Sequence, residues 1–214
     1  MQTRDVHVYV FDTLADWEAG YAIAQINQPE HQIRPGQYRV RSVGASHEPV
    51  RTAGGLAIVP DLTLDEVEPR NSALFILPGG NGWLPAGNQA ALEKAEQFHR
   101  AGVPIAAICG ATAGLARIGL LNDVAHTSNA AEFLTDFAPG YTGGARYREA
   151  RVVSDRGIIT APGTAPVDFA RAIFEALELY SKAVLEAWYG LFSTGEARFF
   201  HELMQASKAQ RRAS

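Results

Sequence analysis

Short β-branched apolar runs alternate along the chain with stretches whose apolar residues recur every three or four positions. This alternation predicts strands laid mostly parallel and joined by helices. Val6–Phe11 (VHVYVF) reads as a first strand, followed by a polar turn and an apolar helix over Asp16–Asn27. Tyr38–Val43 alternates and reads as a more exposed strand, and Pro49–Val59 as a small hairpin turning at Gly54-Gly55. Ala73–Leu77 (ALFIL) is continuously apolar, as a strand covered on both faces should be.

Asn88–Ala101 carries Leu92, Ala95 and Phe98 on one helical face and is closed by Gly102. Val103–Ile108 supplies a further buried strand, with a helix from Ala111 to Ile118 behind it. Arg146–Arg151 and Gly157–Thr160 read as two strand-like pieces. Pro166–Ser181 is helical, with Pro166 in the first turn and Phe169, Ile173, Leu177 and Tyr180 on one face. After residue 181 the alternation stops, and two helical segments follow, Ala183–Phe192 and Glu196–Ala209. The organisation expected is an α/β domain over residues 1–181 and a helical extension over 182–214 packed on the same body. A subunit interface or a lid is the other reading of these aromatic-rich helices. Lys208, Arg211 and Arg212 read as a short solvated tail.

Composition narrows the function classes. The 214 residues (23.1 kDa, 47% hydrophobic, 20% charged) suffice for a substantial core. A net charge of −4 gives no basic balance that would favour nucleic acid or an anionic membrane. No stretch approaches the roughly 20 apolar residues of a membrane span. Asp5 and the short run after it do not make a signal peptide, so a cytoplasmic location is expected. Cys109 is the single cysteine, which excludes an intrachain disulfide and any multi-cysteine metal centre. No metal or other cofactor is expected.

Four motifs fail on inspection. Gly82-x4-Gly87 has phosphate-loop spacing but continues with Asn88-Gln89 instead of Lys-Ser/Thr. His201-Glu202 opens like a zincin helix, yet Gln205 stands where the second ligand belongs. Neither G-x-G-x-x-G after the first strand nor G-x-S-x-G around a serine is present.

The informative stretch is Val103-Pro-Ile-Ala-Ala-Ile-Cys-Gly-Ala-Thr-Ala-Gly114. A buried strand runs directly into Cys109 and then into small residues that open a helix, which requires a sharp turn. That is the layout of a nucleophile elbow with a thiol in place of serine. The helix N-terminus is expected to lower the thiol pKa. A small buried hydrophobe is the alternative for a lone cysteine. Leu77-Pro-Gly-Gly-Asn-Gly-Trp83 follows another buried strand. The amides of Gly79 and Gly80, with that of Gly110, fit an oxyanion hole or else an ordinary tight turn.

Taken with Leu14-Ala-Asp-Trp-Glu18, Ala57-Ile-Val-Pro-Asp61, Phe75–Gly80, Ala107–Thr112 and Ile158–Thr164, in that order, the chain resembles the ThiJ/PfpI superfamily. These are the cysteine-elbow relatives of class I glutamine amidotransferases, and the resemblance runs from Val6 to about Leu179. It implies a flavodoxin-like sandwich, a mostly parallel sheet flanked by helices, here with an extra C-terminal helical segment. It also implies a homodimer and an acidic partner for the cysteine, which aligns best with Glu18 and in reserve with Asp16. Beside a thiolate that carboxyl is expected to be protonated.

The chain departs from the peptidase-like branch, because Gly110 stands where that branch has histidine after the cysteine. His126 is then the candidate general base, with a structural histidine as the alternative. His7, His31, His47 and His99 carry no special context. No glutamate two residues after a histidine completes a glutaminase triad. The resemblance implies a cysteine-dependent enzyme acting on a small electrophilic carbon. Candidate substrates are 2-oxoaldehydes, their protein adducts, amides and isocyanides, so the activity is hydrolase-like or glyoxalase/deglycase-like. The competing expectation is a stress-response sensor or chaperone-like protein that uses the same cysteine without turnover.

Overall fold

The computed structural model describes residues 3–84 and 87–213. Its seven-stranded sheet has the order β5-β2-β1-β6-β7-β9-β8. The strands are β1 (Arg4–Tyr9), β2 (Tyr38–Gly44), β5 (Leu62–Thr63), β6 (Ser72–Leu77), β7 (Ile105–Ile108), β8 (Val153–Asp155) and β9 (Ile158–Ala161). All pairings are parallel except β8 with β9. β3 (Val50–Arg51) and β4 (Ala57–Ile58) form the separate hairpin anticipated around Gly54-Gly55. Every residue of β6, β7 and β9 is buried, which is why these segments are uninterrupted apolar runs. β2 is only partly buried over residues 39–42, in keeping with its alternating sequence, and the two-residue β5 flanks its outer edge.

The helices are α1 (Gly20–Asn27), α2 (Gln89–Arg100), α3 (Gly110–Arg117), α4 (Ala131–Phe137), α5 (Pro166–Ala176), α6 (Lys182–Thr194) and α7 (Ala197–Ala213). From β1 the chain crosses through α1 to β2 on one side, and from β6 it crosses through α2 to β7 on the other. Right-handed crossovers in opposite directions put their helices on opposite faces. Accordingly α1 packs with α5, and α2 with α3. This is the flavodoxin-like layering expected from the sequence.

Three local expectations need correction. The first helix starts at Gly20 and not at Asp16, because Ala15 N–H donates to Gly79 O at 2.9 Å and Leu14 bridges Gly80. Those bonds hold residues 14–19 against the end of β6. Arg146–Arg151 is not a strand: Gly143–Arg146 is a single helical turn, and beyond it Tyr147 makes one isolated bridge to His126. The edge strand is β8, joined to β9 by Arg156 and Gly157, both left-handed (φ 47° and 79°), as a tight antiparallel turn requires. α5 stops at Ala176 in a Schellman closure, in which Leu179 N–H donates to Phe174 O and Glu178 N–H to Glu175 O. Glu178 takes the left-handed position (φ 48°), and Leu179 and Tyr180 remain buried past the helix end.

The two last helices lie on the α1–α5 face. Trp188 of α6 is fully buried against Phe174 (ring centroids 4.9 Å apart) and Tyr21 (6.3 Å). α7 is tied down by Ser207 Oγ, 2.8 Å from His31 Nδ1, and by Gln210 Nε2 donating to His31 O. Lys208, Arg211 and Arg212 are solvent-exposed, as expected, and sit at the end of the docked α7.

Candidate active site

The reversal of winding direction between β1 and β6 leaves a crevice at the carboxyl ends of the strands, where ligands bind in open α/β sheets. The chain after β1 brings Glu18 there. The chain after β6 brings Gly79 and Gly80, and the ends of β7 and β9 bring Cys109 and Gly163. Cys109 sits between β7 and α3 at φ 57°, ψ −124°, a conformation that side chains other than glycine's rarely adopt. Its N–H donates to Ala161 O at 2.9 Å, and its carbonyl accepts from Thr112 N and Thr112 Oγ1. These bonds on both sides hold the strained turn. The small residues after the cysteine serve packing: a Cβ at Gly114 would come within 2.8 Å of the Trp83 ring. The Gly110 amide adjoins the Cys109 thiol and favours its thiolate.

Glu18 is buried beside the thiol, and its Oε2 accepts the Gly79 N–H, while Oε1 has no hydrogen-bond partner. Two glycines enclose the pair. A Cβ at Gly79 would lie 2.6 Å from both Cys109 Cβ and Glu18 Oε2. At Gly163 it would lie 2.9 Å from Cys109 Sγ and 3.0 Å from Glu18 Oε1. Burial pushes the Glu18 carboxyl up to about 7, against the Gly79 amide and the thiol contact, which favour the anion. Burial, reinforced by the neighbouring Glu18 charge, pushes the Cys109 thiol up to about 11, although Asn129 and the Gly110 amide favour the thiolate. The lowered thiol pKa expected from the helix terminus is thus overridden by desolvation. At neutral pH the sulfur keeps its proton unless Glu18 takes it.

The other candidates divide. Gly80 and Gly110 line the same cavity as Cys109 and Glu18, and Gly79 anchors the carboxylate. Asp16 faces away, accepting the Gly54 N–H at 2.7 Å and bracing the hairpin. His126 is fully buried, with Nδ1 2.8 Å from Val124 O and Nε2 2.6 Å from the Tyr141 hydroxyl. Both ring nitrogens are engaged away from the thiol, and desolvation lowers its pKa. His126 therefore sits as a structural histidine, with neither ring nitrogen on the thiol.

Asn129 takes the position instead, with Nδ2 3.3 Å from Cys109 Sγ and Oδ1 accepting the Gly163 N–H at 2.9 Å. The sequence placed Asn129 three residues after His126 but offered no periodicity to show which of the two reaches the sulfur. Arg117 was also missed: it donates to Trp83 O (2.6 Å) and Gly87 O (3.0 Å), closing the loop that borders the cavity. Pro85 and Ala86 of that loop lie outside the described residues.

The cavity around the thiol has a volume of about 390 Å³, and Trp17, Leu84 and Phe133 form its apolar wall. Trp17 is half exposed, and its Nε1 donates to Gly163 O at 3.2 Å. Among the described residues no group of three His, Cys, Asp or Glu side chains is placed to hold a metal ion. No helix among them is long and apolar enough to cross a membrane.

This geometry has relatives. The chain is 42% identical over 205 residues to YoaZ of Bacillus subtilis, named an uncharacterized protease, covering 95% of this chain and 98% of that one. It is 32% identical to DJR-1.2 of Caenorhabditis elegans, named a glutathione-independent glyoxalase, over 67% of this chain and 75% of that protein. A thiJ/pfpI family protein from Bacillus anthracis superposes with a TM-score of 0.90 at 39% identity, covering 96% and 98% of the two chains. The sequence profile of the DJ-1/PfpI family matches residues 4–176, and the chain belongs to that family.

Proposed function

We propose that the protein is a cysteine-dependent enzyme acting on a small electrophilic carbonyl, with a 2-oxoaldehyde as the class that fits best. The observation that carries this reading is the enclosed pair of Cys109 and Glu18, whose carboxyl is poised at about 7. Above that pH the Glu18 carboxylate accepts the thiol proton as sulfur attacks the carbonyl carbon. The C–S bond forms, the C=O π pair moves onto oxygen, and the amides of Gly80 and Gly110 receive the developing charge. Glu18 then returns its proton to that oxygen, giving a hemithioacetal. Conversion of a 2-oxoaldehyde and water to a 2-hydroxy acid is redox-neutral overall and needs no added cofactor.

A cavity of about 390 Å³ suits a small molecule better than an extended peptide. The absence of a histidine on the thiol also weighs against a Cys-His protease dyad. The glyoxalase name of the nematode relative points the same way.

The test is production of 2-hydroxy acid from methylglyoxal without added thiol. Cys109→Ser is expected to lose at least about 1000-fold in kcat/KM, and full activity in that variant would overturn the mechanism. The second reading is an oxidation sensor, favoured by the donors that surround the sulfur. It predicts a sulfinate at Cys109 after mild peroxide, seen by mass spectrometry, and no turnover across a panel of small carbonyls.

A further inference from the structure

The side chain of Asn129 is fixed at both ends, and this decides what it offers the sulfur. Its Oδ1 accepts the Gly163 N–H at 2.9 Å, and a backbone N–H can be matched only by the amide oxygen. The NH2 group is therefore the end that faces Cys109 Sγ, 3.3 Å away. An amide NH2 donates hydrogen bonds and cannot take a proton. His126 is engaged by Val124 and Tyr141. Among the described residues touching the thiol, Glu18 is left as the one side chain that can accept its proton, and its carboxyl already lies in contact with the sulfur. Gly163 makes the arrangement possible twice over. Its amide orients Asn129, and its missing Cβ leaves room for sulfur and carboxylate together.

We propose that Asn129 is a catalytic residue that holds the ionised sulfur of Cys109 by neutral N–H donation, so that the nucleophile works with Glu18 as its single proton acceptor. Asn129 thus fills, as a donor, the place where a histidine would fill it as a base. The inference deepens the enzyme reading and rests on it for turnover, but its central claim concerns the thiol and is measurable without substrate.

The single cysteine makes the measurement clean. The rate of iodoacetamide alkylation as a function of pH reports the ionisation of Cys109 in the parent, Asn129→Ala, Asn129→Ser and Asn129→His. Loss of the donor is expected to move the ionisation midpoint up by about one unit. With a 2-oxoaldehyde substrate, kcat should fall about 100-fold while KM changes little. Asn129→His should add to the pH–rate profile an imidazole ionisation that the parent lacks. An unchanged midpoint in folded Asn129→Ala overturns the proposal. So does a parent profile that already contains a histidine-like ionisation abolished by His126→Gln. Should Asn129→Ala fail to fold, Asn129→Ser carries the same comparison with less loss of polarity. A shifted midpoint in a protein that turns over no carbonyl would sink the enzyme reading while leaving the donor role of Asn129 standing.

Discussion

At the scale of single residues, the site is a balance between desolvation and a few fixed donors. Glu18 lies in a nearly dry enclosure where one backbone amide supports its anion, and its carboxyl is raised from 4.5 to about 7. A raised carboxyl pKa means that folding favours the protonated acid. Its contribution to stability is fully present below about pH 4.5, declines as pH rises, and is lost above about 7. Glu18→Gln, which mimics the protonated acid, should therefore melt like the parent at pH 4 and higher than the parent at pH 8. The gain at pH 8 is on the order of 2–3 kcal/mol, read from thermal melts across that range. A parent that outlasts the variant at pH 8 would show that the carboxylate is well solvated.

His7 shows the complementary case. Burial lowers it to about 4, and it lies 3.0 Å from Ser72 Oγ inside the sheet. Its neutral form is stabilising above about 6.5, and that contribution is lost as pH falls through about 4.

At the scale of elements, close approach is set by residues without side chains. α6 and α7 cross at Gly190, where a Cβ would stand 2.4 Å from the ring of Phe199. Gly190→Ala should cost about 1–3 kcal/mol in urea unfolding, and Phe199→Leu in the same chain should recover part of it. A neutral Gly190→Ala would mean that α7 can slide away without loss.

Elements are also where sequence reading worked and failed for identifiable reasons. β6, β7 and α2 were legible because burial on both faces, or a single apolar face, writes itself into the sequence as a run or a period. The start of α1 was not legible, because bonds from Ala15 and Leu14 to the end of β6, distant in sequence, delay it. α4 was invisible for a related reason: seven residues with Leu134 alone buried hold too little pattern to register. In the site, Cys109, Glu18 and the glycines of the 77–83 turn were legible through motif and resemblance. The exchange of His126 for Asn129 was not, since which of them meets the sulfur depends on the path of an irregular segment held by Thr160 and Gly163.

At the scale of the whole molecule, the parallel sheet collects at one end of its strands what the sequence keeps far apart. Residue 18 meets residue 79, and residue 109 meets residues 129 and 163; all but residue 129, which lies between α3 and α4, come from strand-to-helix connections. The α6–α7 pair lies on the α1–α5 face: Trp188 and Phe192 meet the ring of Tyr21 in α1, and Ser207 and Gln210 bond to His31 beyond it. The part of the chain beyond the matched family region is thus an addition built against one layer, not a component of the thiol enclosure itself.

The backbone of Cys109 carries a last consequence. Glycine would occupy φ 57°, ψ −124° with little penalty, whereas a Cβ of any kind at that point is held there against its preference. Removing the thiol in two ways separates chemistry from conformation. Cys109→Ala and Cys109→Gly should be equally inactive, yet the glycine variant should be the more stable by about 1–3 kcal/mol. Folding alone would thus favour glycine at this position, so the contacts of Cys109 with Ala161 and Thr112 have to hold a backbone that its side chain disfavours.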